Sequence, residues 1–244
     1  MNFLSITWDP SLGIDLGFFT IRWYSLMFVA AFIFGLRIMK KIYIEDKISI
    51  EKIDTLFMYT FISMLVGMRL GEVFFYSWDY YKNNLLEIFL PFKRAVGESA
   101  FFGLIDGWRF TGYTGFASHG AAIAIILAMY WYSRKHLNKS LLFILDRMSI
   151  VCALGAAFVR IGNFFNSEIV GDFTGNNFGV VFVNRGESLP RHPAQLYEAI
   201  LYFALFFFLR YLYRKGLRQK DGFLVGVFMT ALFSIRFVIE YACL

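Results

Sequence analysis

Six stretches of the chain are apolar over about 17–25 residues, the length that a helix needs to cross a hydrocarbon core of roughly 30 Å. Polar segments of different lengths separate them. We place the spans at Ile21–Met39, Ile53–Tyr76, Phe116–Tyr132, Leu141–Phe158, Leu196–Tyr213 and Gly222–Tyr241. The pattern predicts an all-α fold, a polytopic transmembrane helical bundle with about six spans.

The composition also indicates a membrane protein. Of the 244 residues, 58% are hydrophobic and only 17% are charged, and the mean hydropathy is +0.56. Such a chain is too apolar for an ordinary soluble domain, so we expect an integral membrane protein. The two cysteines give neither a disulfide framework nor the spacing of metal ligands.

The basic residues predict the orientation in the membrane. Lysine and arginine are frequent in the short connections that follow the first, third and fifth spans, which should therefore be cytoplasmic. The longer connections, about 77–115 and 164–195, should face outward. The net charge of +6 thus reports topology, and no basic-aromatic or zinc pattern indicates nucleic-acid binding. We treat residues 1–244 as a single integral membrane domain.

With this orientation, the strongly polar residues that we can place in the spans fall toward the outward side. An ionised side chain near the centre of a membrane helix costs about 2.5–3.5 kcal/mol, so each needs a partner or water. A shared outward-facing cavity supplies both. The residues are Arg22, Arg69, Glu72, His119, Arg160, Asn163, Glu168, Arg236 and Glu240.

Helical spacing groups these residues. Arg69 and Glu72 are three positions apart, as are Arg160 and Asn163, and Arg236 precedes Glu240 by four, so each pair shares a helix face. Salt bridges that only fix helix packing are the alternative interpretation for the two arginine–glutamate pairs.

Other residues also have structural interpretations. Tyr24 is typical of an anchor at the headgroup level. The Gly67–Gly71 stretch has the spacing of close helix packing. His119 is either a satisfied structural histidine or a group that transfers a proton or orients a substrate.

Arg160 and Arg236 together favour an anionic ligand. A guanidinium binds two phosphate oxygens at once, and a phospholipid headgroup is the phosphate available at this depth. The stretch Leu189–Ala199, LPRHPAQLYEA, adds His192, Gln195 and Tyr197 with Glu198 at the outer start of the fifth span.

Several stretches resemble one protein family, in the same order along the chain. They are Ile21–Met27, Gly67–Gly71, Ser118–Gly120, Arg160–Gly171 (RIGNFFNSEIVG), Arg191–Glu198 (RHPAQLYE) and Arg236–Glu240. This set is similar to the motifs of the bacterial prolipoprotein diacylglyceryl transferases. The sequence departs from the pattern at Ala121, where a glycine is common, and at Cys243, where an arginine is usual.

The resemblance implies an enzyme of the bacterial inner membrane whose active site faces the periplasm. It would transfer the diacylglyceryl group of phosphatidylglycerol to the lipobox cysteine thiol of a prolipoprotein, the first step of lipoprotein maturation. The products would be a thioether and glycerol phosphate, with no metal or organic cofactor. Members of the family typically have a seventh span, so we expect the last span to be missing here.

The resemblance also implies roles for residues. The predicted catalytic residues are His119, Arg160 and Arg236. The predicted substrate-binding residues are Tyr24, Arg160, Asn163, Asn166, Glu168, Gly171, His192, Gln195, Tyr197 and Glu240. Predicted supporting residues are Arg69, Glu72, Gly120 and Gly162. His119 would orient or deprotonate the incoming thiol, and His192 is a weaker rival for that role. The general base stays open, because the two arginines could supply the positive potential alone. The alternatives to an active enzyme are an inactive truncated member and a phospholipid-binding or transport protein with the same arginine-lined cavity.

Overall fold

A computed structural model describes residues 5–17, 20–90, 92–100, 105–110, 117–175 and 178–243. Phe116, the predicted start of the third span, lies outside these residues. So do residues 91, 101–104, 111–115 and 176–177, which belong to the two predicted outward connections.

The described residues are mainly helical. The helices are α1 (Trp23–Glu45), α2 (Lys52–Gly71), α3 (Trp78–Tyr81), α4 (Leu86–Phe89), α5 (Ser118–Tyr132), α6 (Leu141–Phe165), α7 (Ala194–Arg214) and α8 (Phe223–Cys243). π-Helical turns, Glu72–Tyr76 and Ser133–Leu137, continue α2 and α5. The 3-10 turns are Val183–Arg185 and Leu217–Gln219.

Short strands accompany the helices. They are β1 (Ser5–Trp8), β2 (Gly13–Asp15), β3 (Thr20–Arg22), β4 (Phe92–Ala100), β5 (Ile105–Phe110) and β6 (Gly179–Phe182). β1 pairs in parallel with β6, whereas β2–β3 and β4–β5 are antiparallel pairs. These two-stranded pieces leave the fold class all-α, as predicted.

Within the described part of the chain, four helices are long and apolar enough to cross a membrane. They are α6, α7, α8 and α2 with its π-helical continuation, and each overlaps a predicted span. The other two predicted spans are helical as well, in α1 and α5. The protein is therefore a multi-pass membrane protein. The predicted end of the fourth span at Phe158 is too early, because α6 continues to Phe165.

The chain divides into two compact units, one made of residues up to 50 and from 142 onward, the other of residues 51–141. Unit one contains α1, α6, α7, α8 and the β1–β6 and β2–β3 pairs. Near the end of α6, Phe164 packs with Val180 and Phe182 of the β6 region, and Trp8 of β1 joins this cluster. The Trp8 indole also donates to the Phe164 carbonyl oxygen at 3.1 Å. Aromatic packing thus fixes the strands against the C-terminal end of α6.

Unit one also has a buried charged cluster at the other end of α6. Arg147, whose side chain is 3% exposed, pairs with Asp46 at 2.8 Å. Asp146 accepts the backbone N–H groups of Gly222 and Val225, both at 2.8 Å, and so caps the start of α8. The prediction that strongly polar groups in the spans collect on one side is wrong, because Asp146 and Arg147 occupy the early part of the fourth span. They are stable there because each is paired or hydrogen-bonded.

Unit two contains α2 to α5 and the β4–β5 hairpin. Its helices α2 and α5 touch backbone to backbone, since a Cβ atom added to Gly67 would lie 2.5 Å from both Ala124 Cβ and the Gly120 carbonyl oxygen. A Cβ atom on Gly71 would lie 2.8 Å from Gly120 Cα. The predicted close packing at Gly67–Gly71 is confirmed.

Candidate active site

The centre of the candidate site is a carboxylate held between two guanidinium groups. Glu198, in the first turns of α7, forms a salt bridge to Arg160 of α6 and accepts from Arg236 Nη1 of α8 at 2.5 Å. The Glu198 side chain is only 1% exposed. A buried carboxylate needs this compensation, so the trio fixes the approach of three helices and positions both arginines.

Hydrogen bonds extend this trio in two directions. On α8, Arg236 Nη2 pairs with Glu240 at 2.9 Å, one helical turn away. On α6, Arg160 Nη1 donates to Asn163 Oδ1 at 3.3 Å. The shared helix face predicted for Arg236 and Glu240 is confirmed, and the two side chains form the salt bridge that the alternative interpretation expected. Every link lies in unit one.

Glu168 connects to the same network through amides. The Asn163 Nδ2 group donates to one carboxylate oxygen of Glu168 and the Asn166 Nδ2 group to the other, both at 3.2 Å. Asn163 is buried, whereas Glu168 is exposed. Six predicted site residues therefore form one hydrogen-bonded chain around Glu198. They are Arg160, Asn163, Asn166, Glu168, Arg236 and Glu240.

The backbone around Glu168 is unusual. Ser167 and Ile169 have φ angles of 56° and 53°, the left-handed region that a β-branched residue such as isoleucine rarely adopts. Gln195 Nε2 donates to the Glu168 carbonyl oxygen at 2.6 Å. The Gln195 Oε1 and Ser167 Oγ atoms are buried without a partner among the described residues. This turn fixes the carboxylate of Glu168 at a cost in backbone strain, which is typical of functional sites.

Tyr24, at the start of α1, lies against the same part of α6. A Cβ atom on Gly162 would be 2.8 Å from Tyr24 Cδ2, so only glycine leaves room for the ring. Tyr24 also interacts electrostatically with Glu168 and Arg160. The supporting role predicted for Gly162 agrees with this contact.

Gly171 and His192 contact each other in the segment that joins α6 to α7. The Gly171 N–H donates to the His192 carbonyl oxygen at 2.9 Å, and a Cβ atom on Gly171 would lie 2.5 Å from the Cys243 carbonyl oxygen. His192 Nδ1 is 3.5 Å from the Tyr197 hydroxyl. The structure thus uses Gly171 for close packing between the loop and the end of α8.

An ion pair outside the spans stabilises the same segment. Arg191 pairs with Glu187 at 2.5 Å and donates to the Gly171 carbonyl oxygen at 3.0 Å. The hydrogen bond from Arg191, joined by one from Arg185, holds the pKa of the Glu187 carboxyl below its ordinary value.

The remaining predicted residues lie in unit two. His119 is exposed in the first turn of α5, next to the buried Gly120. Arg69 donates to the carbonyl oxygens of Ile88 and Glu87, at 3.0 and 2.6 Å. Glu72 accepts from the Ser77 hydroxyl at 2.9 Å. These contacts favour the supporting role predicted for Arg69 and Glu72, because they tie the end of α2 to the segment that follows it.

Sequence reasoning noted the polar character of Glu198 but did not select it as a site residue. Tyr202, one turn further along α7, was not noted at all, although Arg160 donates a hydrogen bond to its hydroxyl. The signal was available, because a carboxylate within a membrane span requires a cationic partner. Among the described residues, no group of three His, Cys, Asp or Glu side chains is placed to hold a metal ion.

Comparison with known proteins gives one consistent result. The family described as prolipoprotein diacylglyceryl transferase matches residues 12–242. A phosphatidylglycerol–prolipoprotein diacylglyceryl transferase of Tolumonas auensis is 39% identical over 233 residues, covering 96% of this chain and 82% of the relative. A protein of the same name from Bacteroides fragilis is 37% identical over 240 residues, covering 98% and 83%. A third, from Chloroherpeton thalassium, is 39% identical over 238 residues, covering 97% and 81%. The chain belongs to the prolipoprotein diacylglyceryl transferase family.

Proposed function

We propose that this protein transfers the diacylglyceryl group of phosphatidylglycerol to the lipobox cysteine thiol of a prolipoprotein. The sulfur attacks the terminal glyceryl carbon that carries the phosphate oxygen. A carbon–sulfur bond forms, the carbon–oxygen bond breaks, and its electron pair leaves with the phosphate as glycerol phosphate. The thiol proton passes to a base, and the product is a thioether-linked lipid.

The observation that carries this proposal is the pair of guanidinium groups on Glu198. They come from separate helices, α6 and α8, and one buried carboxylate fixes both. Each guanidinium has five N–H donors, and Glu198, Asn163, Tyr202 and Glu240 use only part of the combined set within the described chain. The arrangement therefore leaves donors for phosphate oxygens.

The chemistry of the leaving group fits two arginines. A phosphodiester has one negative charge, and the departing phosphate monoester gains a second as the carbon–oxygen bond breaks. Fixed cations bind the charge that develops in the transition state more strongly than the charge of the ground state, which lowers the barrier. Arg160 and Arg236 would perform this role, with Asn163 and Glu168 holding Arg160 in place.

The thiol must lose its proton. A cysteine with a pKa of about 8.5 is only a few per cent thiolate at neutral pH, so a base or a positive potential is required. His119 and His192 are the candidate bases, and the two arginines supply the potential. The ring of His119 is exposed, so it is accessible to a thiol.

The membrane setting follows from the same proposal. From the basic connections we infer that Arg160, Glu198 and Arg236 lie on the periplasmic side of the bacterial inner membrane, where phosphatidylglycerol and the signal peptide of a prolipoprotein would be accessible. Contacts within unit one support a common side for the three residues, since the C-terminal ends of α6 and α8 meet the N-terminal end of α7. A lipid-binding or transport protein could use the same arginines, but the relatives at 37–39% identity are named as transferases.

The test is a reconstituted reaction. The purified chain is incubated in detergent with phosphatidylglycerol and a lipobox peptide, and the release of glycerol phosphate is measured. We expect Arg160→Ala to lower the rate of glycerol phosphate release by about 10²- to 10³-fold, the usual effect of removing a hydrogen-bond donor to a developing oxyanion. The control is Arg134→Ala, which removes an exposed arginine over the Tyr130 ring and should leave the rate unchanged.

Release that requires both the peptide thiol and Arg160 would support the transferase. Binding of phosphatidylglycerol without any release would support an inactive or lipid-binding protein instead.

A further inference from the structure

The formal charge of the candidate active site has the wrong sign for an anion-binding site. The connected network contains two guanidinium groups, Arg160 and Arg236, and three carboxylates, Glu168, Glu198 and Glu240. Its formal charge is therefore −1. A phosphodiester that entered this network unchanged would add a second unit of negative charge.

The central trio of the network does have the right charge. Arg160, Arg236 and Glu198 together carry +1, which matches one phosphodiester. Glu198 is 1% exposed and contacts both arginines, so it cannot leave without exposing both to an uncompensated environment. The excess negative charge comes from the carboxylates outside this trio.

Glu240 differs from Glu198 in each respect. Its side chain is 60% exposed, and among the described residues its ion-pair partner is Arg236, one turn away on the same helix. The proposed function puts this end of α8 at the level of headgroups and water, where an exposed ion pair contributes little to stability because water solvates both groups when it opens. Glu240 also accepts one of the two N–H groups of Arg236 Nη2 at 2.9 Å, so it competes with a phosphate oxygen for that nitrogen.

We propose that Glu240 is a carboxylate stand-in for the phosphate: it binds Arg236 in the lipid-free protein, and the phosphate of the lipid substrate displaces it. This inference rests on the proposed function. It gives Glu240 a role different from the direct substrate contact that the family resemblance implies. The same contact keeps the exposed Arg236 guanidinium aligned with Arg160 until the lipid arrives.

The test is the affinity for phosphatidylglycerol in detergent micelles, measured on the intact chain by calorimetric titration and kept separate from turnover. Glu240→Gln keeps the size of the side chain and removes its charge. An exposed ion pair of about 0.3–1 kcal/mol corresponds to about two- to five-fold in Kd, so we expect binding to tighten by about two- to five-fold. Affinity for diacylglycerol, which has no phosphate, should not change.

The matched control is Asp79→Asn, which also removes one exposed carboxylate from an ion pair, here with Lys82 at 2.6 Å. It should leave the affinity for phosphatidylglycerol unchanged. Weaker binding by Glu240→Gln would show that Glu240 contacts the substrate, and equal binding would show that it is not displaced; either result overturns the inference. Wild-type protein that binds phosphatidylglycerol without turning it over would contradict only the proposed function, whereas failure to bind at all would contradict both.

Discussion

Replacing Glu198 by leucine should destabilise the protein, although leucine is apolar and close in size to glutamate. The substitution leaves two guanidinium groups, Arg160 at 17% and Arg236 at 33% side-chain exposure, without their shared counter-charge. Breaking a buried ion pair typically costs about 3–5 kcal/mol. Because Arg236 is partly hydrated, we expect the lower end, about 3 kcal/mol. For a chain of this length that corresponds to an unfolding midpoint about 6–12 °C lower.

The assay is thermal unfolding in detergent, followed by tryptophan fluorescence. The informative comparison is the triple variant Arg160→Met, Glu198→Leu and Arg236→Met. Replacing a complete buried ion set by apolar side chains is often neutral or stabilising, so the triple variant should recover most of the lost stability. Neither protein should release glycerol phosphate.

An unchanged midpoint for Glu198→Leu would refute this reasoning, because it would mean that the two guanidinium groups are solvated well enough to need no carboxylate. A triple variant less stable than the single one would also contradict it, since stability would then depend on the arginines themselves.

Three further predictions follow from local geometry. Gly162→Ala should lower the free energy of unfolding by about 1–3 kcal/mol, because the new Cβ atom would lie 2.8 Å from the Tyr24 ring. Gly155→Ala on the same helix meets nothing within 4 Å and should be neutral or stabilising by up to about 1 kcal/mol. Equal unfolding midpoints for the two variants would contradict this. Ile169→Asn should stabilise the protein by about 1 kcal/mol, because asparagine tolerates the left-handed backbone at φ 53°, and a lower midpoint would show that contacts of the isoleucine outweigh the strain. The pKa of Glu187 is lower in the folded protein than its ordinary value of 4.5, so its stabilisation is complete above that pH and is lost as the pH falls through the folded value. Glu187→Gln should remove this part of the acid sensitivity of the unfolding midpoint.

The sequence was sufficient for the properties that depend on local composition and spacing. The length and hydropathy of the apolar stretches identify a membrane protein, since each side chain adds to the free energy of transfer into lipid almost independently of the fold. Helical periodicity correctly paired Arg236 with Glu240 and joined Arg160 to Asn163, because residues three or four apart share a helix face in any helix. The motif Arg160–Gly171 was one of the stretches from which the family was identified.

Tertiary structure alone decided which helices meet. Glu198 lies 38 positions before Arg236 and on a different helix, so no local pattern predicts that it bridges both arginines. The buried pair of Arg147 and Asp46, 101 positions apart, escaped prediction for the same reason. A charged residue within a span needs a partner, and the sequence shows that need. Helix packing determines which residue the partner is. It therefore also determines the net charge and the accessibility of the site that a substrate meets.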